Sequence, residues 1–419
     1  MKYYSLSIVC LPHDTSMSLF ENDRLIFFMS SERLTRKKHD NALNVKCLES
    51  LKSISTRLDS VLIMFSTDNM SQSITSLNLI RYFKEKFDCK NITINDKKFD
   101  YYLNRHHLTH AISGFYQSPF TNAVCLVIDA LGASSKIVNP KNKMYGLICT
   151  ETTTAFEISE DYSYRHLYKR VYSSPASFLG ETNFSTMEEN LRSNGLFNIN
   201  GGLGNTKQHN ETLATLDYEF DSSNHFDIGC MYDTITRHLG YDSTSAGKIM
   251  GLSAYGEDDN SLPDFLMNDT IYSNNNLFTM DRRINEKLYP ELYGELSFQK
   301  KANLAYEVQR SLEKNFIRYA EIIRGKTDNK NLVLSGGCAL NILGVSLIKE
   351  KFSDFNIFVD PIAHDATHSI AYGLMNYASS TNNKIKKQNL LSSIYLGPKY
   401  DLSEIRINID KFINDYENN

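Results

Sequence analysis

Residues 123–135 read Ala123-Val124-Cys125-Leu126-Val127-Ile128-Asp129-Ala130-Leu131-Gly132-Ala133-Ser134-Ser135. The apolar run is continuous and rich in β-branched residues, which predicts a strand buried on both faces that ends in a turn at the aspartate. Its neighbours on either side decide the fold. Upstream, residues 3–11, 16–20 and 24–30 read as a three-stranded meander. A charged stretch leading into a helix follows, then a buried strand at 61–65, a helix near 71–87, a short strand at 91–94 and a helix over 106–116. Downstream, strands at 135–138 and 144–150 repeat the meander, and 331–334 repeats the buried strand. A helix from Ala339, a strand at 355–359 and a helix from about Asp365 complete the unit. The order βββαβα therefore occurs twice, and an α/β fold with two similar halves around a ligand-binding cleft is expected.

The expected organisation is a first half over 1–120, a second half over 121–385, and a C-terminal tail over 386–419. Between the last meander strand and residue 331 the pattern breaks. A largely helical insertion is expected over about 151–328, with Asn- and Ser-rich segments such as 193–210 and helical periodicity at 226–239 and 302–323.

A formal charge of −4 over 419 residues, with 41% hydrophobic and 22% charged residues, predicts an ordinary soluble protein with no bulk positive charge for a polyanion. Seven cysteines without a CxxC pair suit a reducing cytoplasm. No apolar run approaches the roughly 20 residues of a spanning helix, so no membrane partner is expected.

His106 and His110 stand four residues apart in HHLTHAISGFYQSPF (106–120), which puts both imidazoles on one helix face, where they could share a metal. Asp129 at the end of the buried strand and Asp365 at the start of the last helix would face the same cleft. Read alone, Asp129 makes an Asx turn and Asp365 a helix cap. Joined to the histidines they give an N2O2 set suited to Fe(II), taken first, or to Mn(II) or Zn(II). Gly336 and Gly337 lie between a strand and a helix, where backbone and helix N-terminus can approach a phosphate. Gly132 occupies a comparable strand end. Gly247 and Lys248 lack the spacing of a P-loop, and a close-packed helix-start turn is their simpler reading. The Pro12-His13-Asp14-Thr15 turn could meet a phosphate or a hydroxyl, whereas residues 31–40 read as a solvated charged face.

The His13-Asp14 turn with SERLTRKKHD (31–40), HHLTHAISGFYQSPF (106–120), IGCMYDTITRHLGY (228–241), SAGKIMGLSAYG (245–256), LAYEVQRSLEKN (304–315) and LVLSGGCALNI (332–342) resemble, in order, the signature segments of the O-carbamoyltransferases of antibiotic and nodulation-factor biosynthesis. Their catalytic domain is similar to the threonylcarbamoyl-tRNA transferase and belongs to the acetate and sugar kinase/actin superfamily. The resemblance implies a metal held by His106, His110, Asp129 and Asp365. It implies adenylate contacts at Gly336, Gly337 and Asn341, His13 as general base, and Asp14, Lys38 and His39 near the reacting groups. Carbamoyl phosphate and ATP would give carbamoyl adenylate, and the metal domain would pass the carbamoyl group to a hydroxyl of a small metabolite, sugar or modified nucleobase, so a hydroxylated small-molecule or nucleotide acceptor is the expected partner.

Ala130 and Thr367 depart from the family's glycines. Residues 395–400 resemble the start of the family's second, carbamoyl-activating domain, and the chain ends at Asn419. Donor activation is therefore expected from a separate activating protein, from a donor made elsewhere, or not at all if the activity has changed. A non-catalytic nucleotide-binding subunit is the alternative, a kinase-like ATPase is a third reading, and a homodimer is left open.

Overall fold

The computed structural model describes residues 2–417 except 12, 44, 53, 66–69, 95–105, 133, 140–143, 175–218, 224, 268, 269, 280, 281, 383, 384, 386, 388–395 and 398–401. The polar stretch 193–210 lies outside the described residues. Strands β1 (Tyr4–Cys10), β2 (Thr15–Glu21), β3 (Arg24–Ser30), β4 (Arg57–Phe65) and β5 (Asp88–Ile94) form one sheet in the order β3-β2-β1-β4-β5. The meander is antiparallel, and β4 and β5 add in parallel after crossover helices, as parallel pairing requires. The first half also holds α1 (Glu32–Thr35), α2 (Val45–Lys52), α3 (Met70–Lys86) and α4 (His106–Gln117).

The second sheet is built from β6 (Ala123–Ile128), β7 (Ser134–Asn139), β8 (Met144–Ile158), β9 (Tyr164–Ser174), β10 (Glu219–Ser223), β11 (Asn331–Ser335) and β12 (Asn356–Val359). Its path runs β10-β9-β8-β6-β11-β12, with β7 paired to β8 alone. Stripped of β7 and β10, this is the strand order of the first sheet. The duplication predicted from element order, which the family resemblance implies to be actin- and sugar-kinase-like, is therefore the fold.

One expectation changes. The strand opposite β6 is the later part of β8, where Val127 faces Thr154 and Ile128 faces Thr153. The third strand is β9, which the sequence reading placed in the helical insertion, and 135–138 is an added hairpin strand. Thr152, Thr153 and Thr154 are fully buried, and three buried threonines in a row hide the apolar pattern that marks a core strand.

Beyond β10 the insertion is helical, with α5 (Ile228–His238), α6 (Ala246–Ser253) and α7 (Phe298–Arg324) around one apolar core. Asp227 ties it to the sheet. Its carboxylate accepts hydrogen bonds from Ile228 N at 2.7 Å, Thr153 Oγ1 at 2.6 Å and Tyr319 Oη at 2.8 Å, so one buried group caps α5 and joins β8 to α7. The chain continues through α8 (Ile342–Lys351), α9 (His368–Thr381) and α10 (Leu402–Glu417). No helix among the described residues is long and apolar enough to cross a membrane.

The halves exchange their last helices. Helix α4, buried along all twelve residues, packs on β6, β8 and β11 of the second sheet, whereas α9 packs on β1, β2 and β4 of the first. Polar contacts inside this interface set the register: Ser18 Oγ meets Ser369 Oγ at 2.7 Å, and Asn376 Nδ2 donates to Ser5 Oγ at 2.9 Å. Both helices therefore start at the same place, between the ends of β6, β11 and the β1–β2 turn.

Gly336 closes that place from below. It has φ 86 and ψ 156, and a Cβ there would lie 2.4 Å from Ile128 O. Only glycine occupies such a backbone region readily. Gly247 differs, with nothing within 4 Å of an added Cβ. Gly336→Ala should lose about 1–3 kcal/mol or more of stability. Gly247→Ala, in the first turn of α6, should be neutral or gain up to about 1 kcal/mol. Urea unfolding midpoints moving in opposite directions would bear this out, and equal midpoints would contradict it.

Candidate metal centre

His106 and His110 occupy the first two turns of α4 with their rings 4.9 Å apart. Asp129 leaves the end of β6, and Asp365 sits in a 3-10 turn (Asp365–Thr367) that leads into α9. His106 Nε2 is 3.0 Å from Asp129 Oδ2 and 3.6 Å from Asp365 Oδ1, and His110 Nε2 is 3.5 and 3.3 Å from the same two atoms. The four metal candidates named from sequence thus meet at one point, although Asp129 and Asp365 stand far apart in the chain.

The donor set fits a divalent cation. Bonds of about 2.1 Å from a cation to nitrogen or carboxylate oxygen put neighbouring donors about 3.0–3.4 Å apart for octahedral or tetrahedral angles, which is close to the separations here. His110 Nε2 is buried and makes no hydrogen bond among the described residues. Its other nitrogen explains why Nε2 is available. Ser335 Oγ gives its proton to Asp360 Oδ2 at 2.9 Å, so toward His110 Nδ1, 3.4 Å away, it acts as acceptor. The Nδ1–H tautomer leaves Nε2 facing the two carboxylates. Burial disfavours a charge on His110, but Asp129 and Asp365 outweigh it and raise its proton affinity to about 9. Proton and metal therefore compete for one nitrogen. Burial would also raise both aspartates, yet the imidazoles hold each well below the usual carboxylate range.

Asp360, missed from sequence, anchors the outer layer. Its Oδ1 accepts from Gln117 Nε2 at 3.0 Å and Ile362 N at 2.9 Å, and burial raises its proton affinity. Thr367, where the resembled family has glycine, donates its hydroxyl to Asp360 Oδ2 at 3.4 Å and meets the Ser113 hydroxyl. At the other departure, an added Cβ on Gly229 would lie 2.7 Å from Ala130 Cα, so the turn after Asp129 is packed against α5.

His368, also missed, stands beside the four. Its ring centroid lies 4.4 Å from that of His110 and 4.6 Å from that of His106. Burial, with the neighbouring His110 and His106, lowers its proton affinity to about 3. The available signal was its spacing, three residues after Asp365 at a helix start.

A second cluster forms the mouth. His13 Nδ1 meets Asp14 Oδ2 at 2.7 Å, His39 Nδ1 meets the same oxygen at 3.0 Å, and His364 Nδ1 lies 3.6 Å from Asp14 Oδ1. His13 joins the clusters, its Nε2 being 3.5 Å from Asp365 Oδ2. Burial would raise Asp14, but hydrogen bonds from His13, His364 and His39 keep it far below the usual range. The Asp14 hydrogen bond, opposed by burial, raises His13 to about 9. The segment expected to be a solvated face instead turns inward at His39, at φ 52, with its N–H held by Glu32 Oε2 at 3.0 Å. Lys38 donates across the cleft to Thr244 O, away from the aspartates.

The nucleotide candidates have local work. Gly336 and Gly337 let β11 pass the end of β6, an added Cβ on Gly337 lying 3.2 Å from Asp129 Oδ1. Asn341 caps α8 through Gly344 N at 3.0 Å and exchanges two hydrogen bonds with Gln309. Gly132 leaves room for the His107 ring, 2.7 Å from where its Cβ would stand. Lys248 is exposed, 5.4 Å above the Tyr241 ring.

In chelator-treated protein the His13 imidazole should titrate near 9 by NMR, and Asp14→Asn should lower the midpoint by more than about one unit toward the ordinary 6.5. An unmoved midpoint would show that Asp14 does not control it.

A model of the family described as carbamoyltransferase N-terminus matches residues 64–373. An uncharacterized protein of Synechocystis sp. is 22% identical over 450 residues, 96% of this chain and 61% of that relative. Another, from Methanocaldococcus jannaschii, is 23% identical over 418 residues, 98% of this chain and 64% of the relative. The chain thus spans less than two thirds of the length of these two curated relatives. Among solved structures, HypF of T. kodakarensis aligns with a TM-score of 0.45 at 13% identity over 91% of this chain and 48% of that one. The activator of the 2-hydroxyisocaproyl-CoA dehydratase from Clostridium difficile with bound ADPNP aligns with a TM-score of 0.40 at 11% identity over 93% and 100%.

Proposed function

We propose that this chain, which belongs to the carbamoyltransferase N-terminus family, transfers a carbamoyl group from carbamoyl adenylate to the hydroxyl of a small metabolite, sugar or modified nucleobase, at a centre held by His106, His110, Asp129 and Asp365. The observation that carries the reading is the meeting of four donors from both halves of the fold, with the His110 tautomer fixed by Ser335 and Asp360. When bound there, a divalent cation would polarise the carbamoyl carbonyl and neutralise Asp129 and Asp365, whose charges help raise His13.

The chain's own groups supply the rest. His13 stands half-exposed at the mouth, oriented through Nδ1 by Asp14, so in the neutral form, which Asp14 shifts toward alkaline pH, its Nε2 is the atom placed to take a hydroxyl proton. Asp14, held by His13, His39 and His364, stays ionised and fixes the ring. The N-termini of α4 and α9 converge on the site, and their partial positive charge favours a carbonyl oxygen or phosphate there. ATP and carbamoyl phosphate enter as the source of the activated donor. Support for them is the sequence resemblance, with Gly336, Gly337 and Asn341 as the contacts it implies.

The test supplies synthetic carbamoyl adenylate and a panel of hydroxylated acceptors, and reads one added carbamoyl group by mass spectrometry. Transfer should occur with metal and fall at least about a thousandfold after chelation or in His110→Ala, the several kcal/mol that a cation contributes to developing charge. Undiminished transfer by a metal-free His106→Ala/His110→Ala protein would sink the metal-centred reading. No transfer to any acceptor by the metal-loaded chain would sink the catalytic one.

A further inference from the structure

We infer that His368 is a third imidazole ligand of the same centre, beside His106 and His110. The inference rests on the metal reading above and deepens it.

Position comes first. Asp365 and His368 lie three residues apart across the entry to α9, which puts both side chains on one face. His368 Nε2 is 3.7 Å from Asp365 Oδ1, and one donor atom from each of His106, His110, Asp365 and His368 lies within 4.8 Å of the others. The residue is fully buried, so its ring serves the interior and not solvent.

The tautomer follows from a hydroxyl count. Thr109 Oγ1 donates its single proton to His106 O at 2.8 Å, so it accepts from His368 Nδ1–H at 2.6 Å. The Nε2 lone pair then points toward the centre. Thr109 does for His368 what Ser335 does for His110. The same solution, a hydroxyl whose proton is committed elsewhere, thus fixes two imidazoles from different helices for metal binding. A packing role alone would require no such tautomer.

Asp129 and Asp365 would balance the two charges of a divalent cation. Three imidazoles turn the preference toward Fe(II), Co(II), Ni(II) or Zn(II) and away from Mg(II) and Ca(II), which take oxygen ligands.

The experiment compares Zn(II)-loaded wild type, His368→Asn and His368→Gln by X-ray absorption and chelator competition, with circular dichroism as the folding control. Asn keeps an N–H for Thr109 and puts nothing at the Nε2 position, whereas Gln reaches that position with an amide oxygen. Three imidazoles are expected in wild type and two in His368→Asn. The Asn variant should lose more than about 100-fold in affinity, beyond the 10–100-fold typical of an outer-layer partner, and His368→Gln should regain part of it. Two imidazoles in loaded wild type, or an unchanged spectrum and affinity in folded His368→Asn, would overturn the inference and leave the metal reading standing. If His368→Asn does not fold, the wild-type imidazole count decides alone. A wild type that retains no metal would overturn both.

Discussion

Two carboxylates, partly buried Asp129 at a strand end of the second half and buried Asp365 at a helix entry, face the same pair of imidazoles, and the surroundings are arranged to hold that contact. Like charges at this separation repel and favour one proton between them. Both stay ionised because His106 and His110 stand between them. Positive charge in the middle comes either from protons on the imidazoles or from a cation that displaces them. Removing an imidazole therefore leaves an uncompensated buried charge, which is far more costly than a lost surface pair.

The exchanged helices make this contact possible. Each half sends its last helix to the other half's sheet, so the beginnings of α4 and α9 arrive side by side. His106 and His110 thereby share a cavity with Asp365, and Ser113 reaches Thr367 through the same packing. Opening the halves would separate the donors, so the stability of the interface and the integrity of the centre are one property.

Much of this was legible in the sequence. Buried strands at 61–65, 123–128 and 331–334 stood out because strands covered on both faces need unbroken apolar runs. The candidate ligands stood out where helical spacing or a strand end gave them a shared direction, as for His106, His110 and Asp129. Three features were hidden for physical reasons. The second meander was misplaced because threonines fill its buried positions in β8. Asp360, Ser335 and Thr109 act through hydrogen bonds to residues distant in sequence, which leave no periodic trace. Residues 31–40 read as solvated because charge predicts exposure, yet the positive φ at His39 turns its ring onto Asp14.

The contest between the two histidine clusters is settled most directly by a crystal structure of the protein grown with Fe(II) or Zn(II) and measured at that metal's absorption edge. One anomalous peak is expected within about 2.0–2.2 Å of His106 Nε2, His110 Nε2, Asp129 and Asp365. A peak seated instead on His13, Asp14 and His39, or none at all at full metal excess, would contradict a metal centre shared by the two halves.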